Sequence, residues 1–205
     1  MKLSAMELIR PETLTSELQD CCQFISLVPD QRLFRQGDAA TRIFLLTQGR
    51  LRLFRRTVEK REITLAVTVA SGILGEEALF DKRYGNSAIA DTTTQLIAYP
   101  IQPLRSAIVQ EPGIANQLLM LVGQKVQSLQ TLIELRSIRS ATLRVQQYLR
   151  YRSQGLEPVR LEGTWKAIAS ELSLTPQTLS KALAQLEQTG QIERRPEGIY
   201  LPERA

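Results

Sequence analysis

Apolar and polar residues alternate along much of the first half of the chain, and glycines interrupt the alternation. The clearest case is residues 63–69, where four aliphatic residues alternate with threonine and alanine. Short alternating runs separated by turn residues at regular spacing are typical of a sandwich or barrel. Residues 1–28 show only short helical patterns. We predict an antiparallel β-roll, a short helical turn ending near Phe80, and strands at 32–35, 43–46, 50–56, 63–69, 87–90 and 95–99.

The apolar period changes from two to three or four after Pro112. One apolar stripe follows the heptad spacing of a coiled coil, and it consists of Leu119, Val122, Val126, Leu129 and Ile133. A second stripe lies beside it and consists of Leu118, Leu121, Leu132 and Leu135. A helix that is apolar on two faces needs two partners. We predict a long helix whose second partner is the same helix of another subunit, with burial wholly inside one chain as the alternative.

Residues 164–191 have the pattern of two helices joined by a tight turn. The first helix is predicted at 165–172. The second has Thr175 as its N-cap, Pro176 at its first position and Gly190 just past its end. Its apolar face consists of Leu179, Ala182, Leu183 and Leu186. The remaining face is polar and almost free of acids, which suits the DNA major groove, although a merely solvated face has the same composition.

Further elements flank this helix pair. A helix at 140–153 and a short strand at 159–161 are predicted before it, and residues 192–195 and 199–201 form a hairpin, or wing, after it. Arg194 and Arg195 of the wing are placed to meet phosphates. The candidate DNA-binding residues are Thr175, Gln177, Thr178, Ser180, Lys181, Gln185, Arg194 and Arg195.

Composition excludes several classes of function. The 205 residues are 43% hydrophobic with a net charge of +5, and they include no histidine and only two cysteines, Cys21 and Cys22. Histidine-based catalysis, haem ligation by histidine and a four-cysteine cluster within one chain are therefore excluded. The adjacent carboxylates Glu76 and Glu77 are the only candidate catalytic pair, and sequence neighbours point in different directions, so we predict no enzyme. We expect a cytoplasmic protein without metal or membrane segment, because no apolar run reaches spanning length and no signal peptide is recognisable.

The whole layout resembles the Crp/Fnr family of bacterial transcription regulators. The residues that carry the resemblance are 35–38, 48–49, 72–76, 79–80, 87–88, the long helix, 168–169, 179–181, 186–187 and 190. The resemblance implies an α+β fold with a jelly-roll-like effector domain at 1–112, a dimerisation helix at 113–138 and a winged helix-turn-helix domain at 139–205. It also implies a dimer that binds an inverted repeat in double-stranded DNA, with RNA polymerase as an open further partner.

The resemblance also implies an effector pocket, which departs from the cyclic-nucleotide pattern. Glycine and glutamate for the ribose are present at Gly75 and Glu76, but the arginine that neutralises the phosphate is replaced by Asn86. A neutral amide cannot replace a bidentate guanidinium. At the adenine end, Leu129 and Gln130 stand where hydroxyls are expected. The candidate pocket residues are Gly75, Glu76, Glu77, Asn86, Ser87, Ala88, Lys125, Leu129 and Gln130.

Two effector alternatives stay open once cAMP is judged an unsuitable ligand. A small organic acid such as 2-oxoglutarate could bind through Lys125 with Lys82 or Arg83. Alternatively, side chains fill the pocket and the regulator needs no effector.

The second helix of the pair at 164–191, which would be the DNA-recognition helix, also departs from the family pattern, at Pro176, Gln177 and Lys181. Glutamine pairs with adenine and lysine with guanine, so we expect altered half-sites. The alternative to a DNA-binding regulator is a protein-interaction module of the same fold that has lost DNA binding.

Overall fold

Two four-stranded antiparallel sheets form the first part of the chain. The structure, a computed structural model, describes residues 16–153, 155, 158–161 and 164–202. One sheet has the order β1-β8-β3-β6 and the other β2-β7-β4-β5. The strands are β1 Gln23–Leu27, β2 Arg32–Phe34, β3 Arg42–Gln48, β4 Arg50–Arg56, β5 Glu62–Val69, β6 Ile73–Leu74, β7 Ser87–Ala90 and β8 Thr94–Pro100. All six predicted strands are therefore confirmed, and the fold is the predicted antiparallel roll.

Three elements of this region differ from the sequence prediction. Helix α1 covers Ser16–Cys21, but Gln23–Leu27 forms strand β1 instead of continuing the helical pattern, because it pairs with β8 along its whole length. Strand β6 is an unpredicted two-residue pair with β3. Helix α2, Ile101–Gln110, was not predicted, and its Pro103 lies in the first turn, where a missing N–H is tolerated. The predicted pattern at Leu14 lies outside the described residues.

The phase of strand β5 is set by its neighbour rather than by its own apolar residues. Leu51 and Leu53 of β4 are buried, and their partners across the ladder are Thr68 and Ala66. Residues directly opposite each other share a face, so the smaller residues of β5 point inward. The alternation predicted for 63–69 is confirmed, but Ile63, on the aliphatic face, is 48% exposed.

The predicted long helix is α3, Pro112–Ser137, and it belongs to both compact units of the chain. The first unit ends at Ser128 and the second begins at Leu129. The stripe Leu118, Leu121, Leu132 and Leu135 is buried, as one of the two predicted stripes should be. The other stripe is open: Leu119 is 69% and Ile133 is 68% exposed, while Val122 and Leu129 are half-buried.

The second unit packs three further helices against a short hairpin. The elements after α3 are α4 Ala141–Ser153, α5 Trp165–Glu171, α6 Pro176–Gln188, β9 Glu193–Arg195 and β10 Gly198–Tyr200. Their shared core includes Leu149, Ile168, Leu183 and Ile199. The strand predicted at 159–161 is wrong in extent, because Val159 forms a single bridge to Ile199. Within the described ranges, no helix is long and apolar enough to cross a membrane.

Two arginines join the end of α3 and the start of α4 to the end of α5. Arg136 Nε donates to the carbonyl of Glu171 at 3.0 Å, and an Arg144 guanidinium nitrogen donates to the carbonyl of Leu172 at 2.8 Å. These are carbonyls at a helix C-terminus that lack helical partners. Burial lowers the pKa of Arg136. The junction of α3 and α4 is therefore hydrogen-bonded directly to the end of α5, the first helix of the helix-turn-helix.

Candidate nucleic-acid interface and effector pocket

Helix α6 begins at a built N-cap. The Thr175 hydroxyl accepts a hydrogen bond from the Thr178 backbone N–H at 3.1 Å, and Pro176 is the first helical residue. The turn before it passes through Ser173, whose φ is 54°, and Leu174 N–H donates to Ala169 O at 2.8 Å. The cap and turn fix where the helix starts and therefore which side chains face outward.

The outer face of α6 divides into free and internally bonded side chains. Gln177, Ser180 and Lys181 are exposed. By contrast, the Thr178 hydroxyl shares a hydrogen bond of 2.8 Å with the Thr175 hydroxyl, and Gln185 Oε1 accepts from Thr142 on α4 at 2.6 Å. Both belong to the predicted DNA-binding set, but their contacts help to hold the domain together.

The exposed polar side chains of α6 line a concave surface that encloses a volume of about 570 Å³. Its lining residues are Trp165, Pro176, Gln177, Ser180, Lys181, Leu183 and Arg194. The structure thus brings together four of the predicted residues from α6 and the wing. Trp165 was missed, although its position as the first residue of α5 could have suggested that it faces the same surface.

The two wing arginines are both held by glutamates. Arg194 is paired with Glu187 at the end of α6, through its Nε at 2.9 Å and through a second nitrogen. Arg195 makes a two-pronged contact with Glu193, at 2.7 and 2.8 Å, and lies over the Tyr200 ring. Each arginine lowers the pKa of its glutamate through these hydrogen bonds. The arginines predicted to meet phosphates are therefore positioned by acids, an arrangement that is not among the predictions from the sequence.

In the β-roll, Glu76 forms an ion pair with Lys125 of α3. The Lys125 ammonium also donates to the carbonyl of Ile73 at 3.4 Å. The pair is largely buried, with Glu76 22% and Lys125 18% exposed at the side chain. The second carboxylate oxygen, Oε2, is buried and has no hydrogen-bond partner among the described residues. The carboxylate at the expected ribose position is therefore engaged by a side chain of the same chain.

The segment expected to meet a phosphate is engaged internally as well. Asn86 Nδ2 donates to Glu77 Oε1 at 2.6 Å, and the Ser87 hydroxyl accepts from the Gln36 N–H at 2.9 Å. Arg83 points to the carbonyl of Gly37 at 2.6 Å. Ala88 is fully buried, and Gly75 adopts a φ of 72° in a place where an added Cβ would meet the Arg42 carbonyl at 3.0 Å.

One arginine near this segment is not among the predicted pocket residues. Arg55 Nε, on β4, donates to the carbonyl of Gly85 at 3.0 Å, but its side chain is exposed. A cleft of about 170 Å³ also lies beside Lys125, between the β5–β6 turn and α3. Leu129 and Gln130 follow on α3 at the start of the second unit, and their part in a pocket stays a prediction.

Across the described residues, no group of three or more histidine, cysteine or carboxylate side chains could hold a metal ion. Cys21 and Cys22 are free thiols at the end of α1. Burial, together with the neighbouring Cys21, raises the pKa of Cys22, which disfavours its reactive thiolate form.

Comparison with known families matches both parts of this architecture. A model described as a cyclic nucleotide-binding domain matches residues 24–111, and one described as a Crp-like helix-turn-helix domain matches residues 114–205. The chain belongs to the Crp/Fnr family of transcription regulators. The second match covers α4, α5, α6 and the wing, so the concave surface lies in the domain with which this family binds DNA.

Individual relatives agree with the family assignment. The transcriptional activator protein Anr of Pseudomonas aeruginosa is 26% identical, over 97% of this chain and 86% of its own length. The cyclic AMP receptor protein of Thermus thermophilus is 27% identical, over 84% and 81%. The solved structure of FixK2 from Bradyrhizobium japonicum has a TM-score of 0.77 at 20% identity, covering 89% of this chain and 93% of that one. The last comparison supports the Crp/Fnr fold.

Proposed function

We propose that this Crp/Fnr regulator acts as a homodimer on an inverted-repeat operator, with one α6 in the major groove at each half-site. The observation that carries the proposal is the composition of the two faces of α6. Leu179, Leu183 and Leu186 are sealed in the core, whereas the opposite face offers free polar side chains inside a concave surface. Helices of this kind read base edges from the major groove.

Within this surface, Gln177 and Lys181 are the proposed base-reading residues. An amide can bond adenine at N6 and N7, and an ammonium can donate to guanine O6 and N7. Ser180 lies between them on the free face. Arg194 and Arg195 serve phosphates from the wing, while their glutamate partners keep them in position. Thr175, Thr178 and Gln185 contribute mainly by fixing the helix.

The open stripe of α3 supports the homodimer. Leu119, Val126 and Ile133 are exposed aliphatic residues on one helix, together with the half-buried Val122 and Leu129. Their spacing of three and four residues matches the seam of a two-stranded coiled coil. A symmetric pair of such helices would cover the stripe on both copies at once. The two recognition helices would then meet half-sites centred about 34–36 Å apart.

The pocket contacts support regulation without cAMP. A phosphodiester needs a cation, but the segment expected to provide it presents Asn86 bonded to Glu77. The charge of Lys125, which could have served an organic acid, is already matched by Glu76. These contacts favour a pocket filled by the protein's own side chains over one that takes a small anion. RNA polymerase remains a proposed further partner.

Selection from a random DNA library tests the operator proposal. The expected result is a two-fold symmetric site. Fluorescence anisotropy of labelled duplexes that carry this site then measures the affinity of the protein for it. Affinity should fall steeply as salt rises, because phosphate contacts release counterions. Recovery of asymmetric sites, or no enrichment at all, would remove the proposal.

Calorimetry tests the effector proposal separately. Titration with cAMP and with 2-oxoglutarate should give no heat of binding, and neither compound should change DNA affinity. Micromolar binding of cAMP would show that Asn86 is not a barrier. Micromolar binding of 2-oxoglutarate would show that the pair of Lys125 and Glu76 opens for an anion.

A further inference from the structure

Trp165 is an exposed aromatic residue on the candidate DNA-binding surface. It is the only tryptophan of the chain, and 52% of it is exposed at the first position of α5. Side chains of this size are highly buried on average. The ring nevertheless lines the same concave surface as Gln177 and Lys181. Its indole N–H donates to no acceptor within the part of the chain that the structure describes.

The surface around Trp165 has two chemical characters. Trp165 and Pro176 contribute apolar area, while Lys181 contributes positive charge and Arg194 contributes a guanidinium that is paired with Glu187. The backbone of DNA has the same two characters, because apolar deoxyribose rings alternate with anionic phosphates. Tryptophan fits such a backbone because its ring is apolar and its nitrogen is a hydrogen-bond donor only.

We propose that Trp165 positions the DNA: its Nε1–H donates to a backbone phosphate and its ring packs on the adjoining deoxyribose. The proposal rests on DNA binding by the α6 surface and adds a residue of α5 to it. An uncharged donor differs from lysine or arginine in one measurable way. It contributes affinity without releasing a counterion, so it leaves the salt dependence of binding unchanged.

The single tryptophan gives a direct readout of this contact. Anisotropy of a fluorescein-labelled duplex reports whether DNA binds, and acrylamide quenching of the intrinsic emission reports whether Trp165 is covered. We expect the quenching constant to fall several-fold in the complex, both with a selected operator and with a random duplex. Full binding with unchanged quenching would overturn the role of Trp165 alone, whereas absence of binding would overturn the DNA-binding surface itself.

Substitution then tests the hydrogen bond. Trp165→Phe keeps an aromatic ring but removes the N–H, and it should weaken binding about threefold to tenfold on operator and random DNA alike. The slope of affinity against salt should stay the same. Tyr151→Phe is the matched control, because it removes one polar group from another exposed aromatic residue of the same unit, outside the concave surface. It should bind like the parent protein.

Two results of this substitution would contradict the proposal. A loss confined to the operator would make Trp165 a base-reading residue, and unchanged affinity would place its N–H outside the interface. Circular dichroism confirms that both variants are folded before their affinities are compared.

Discussion

Removing the ammonium of Lys125 is expected to destabilise the β-roll substantially. In Lys125→Met the aliphatic part of the side chain is kept, but Glu76 loses its cation, and its other oxygen is already without a described partner. Breaking a fully buried pair by removing one partner costs about 3–5 kcal/mol. Because about a fifth of each side chain is exposed, water can partly solvate the remaining carboxylate. We therefore expect a loss of about 2–3 kcal/mol, below that range.

Urea unfolding followed by far-UV circular dichroism measures this loss. Tryptophan fluorescence is unsuitable, because Trp165 lies in the second unit. The double variant Glu76→Gln/Lys125→Met serves as the control, since it removes both charges and should recover to within about 1 kcal/mol of the parent protein. A loss of no more than about 0.5 kcal/mol for Lys125→Met, as for a solvated surface pair, would refute a stabilising role of this ion pair. A double variant no more stable than the single one would refute it as well.

Three further predictions concern the DNA and dimer surfaces. Lys181→Ala should cost about 1–3 kcal/mol of binding free energy on the operator and relax the sequence preference of the protein. Fluorescence anisotropy measures this against Lys60→Ala, an equal charge change in the exposed β4–β5 turn. An equal loss on random DNA would make Lys181 a phosphate contact. Leu119→Glu should weaken the dimer by about 2 kcal/mol or more through lost burial, seen by sedimentation as monomer, whereas Gln124→Glu, at an exposed position about 140° around α3 from Leu119, should stay dimeric. Arg194→Gln should return the lowered pKa of Glu187 toward its ordinary value, measured by carboxyl NMR. The stability that this ion pair contributes is fully present above the pKa of Glu187 in the unfolded chain and is lost as pH falls through its lowered pKa in the folded protein. An unchanged pKa of Glu187 in the variant would contradict this role of Arg194.

The helix-turn-helix could be predicted closely because its signals are local. Thr175, Pro176 and Gly190 each act through backbone geometry within a few residues, and the structure places α6 where they predict it. The wing predicted from residues 192–195 and 199–201 is likewise present, as strands β9 and β10. By contrast, the pairing of Lys125 with Glu76 joins residues 49 positions apart. No local rule connects them, so the sequence alone predicts Lys125 as a cation that is available to an effector.

Strand phase could not be predicted from strand composition alone. The aliphatic residues of β5 outweigh Thr64, Ala66 and Thr68 in hydrophobicity, yet the threonines and alanine face inward. The pairing with Leu51 and Leu53 decides the phase, because a shift of one residue would turn every side chain to the opposite face. Register therefore depends on the neighbouring strand. Strand β1 depends on its neighbour in another way, because residues 23–27 are a strand through their pairing with β8.

The continuity of α3 across the two units limits how the protein can be divided. Its last nine residues, 129–137, fall in the second unit, and isolated helices shorter than about 12–15 residues are marginal in water. A DNA-binding fragment beginning at Leu129 would start with a short helix segment held by Leu135 in the core of this unit and by the hydrogen bond from Arg136 to the carbonyl of Glu171. Proteolysis or recombination at the unit boundary would therefore fray the segment that carries Arg136 to the end of α5. We therefore expect a fragment that includes all of α3, from Pro112 onward, to unfold more cooperatively than one that begins at Leu129.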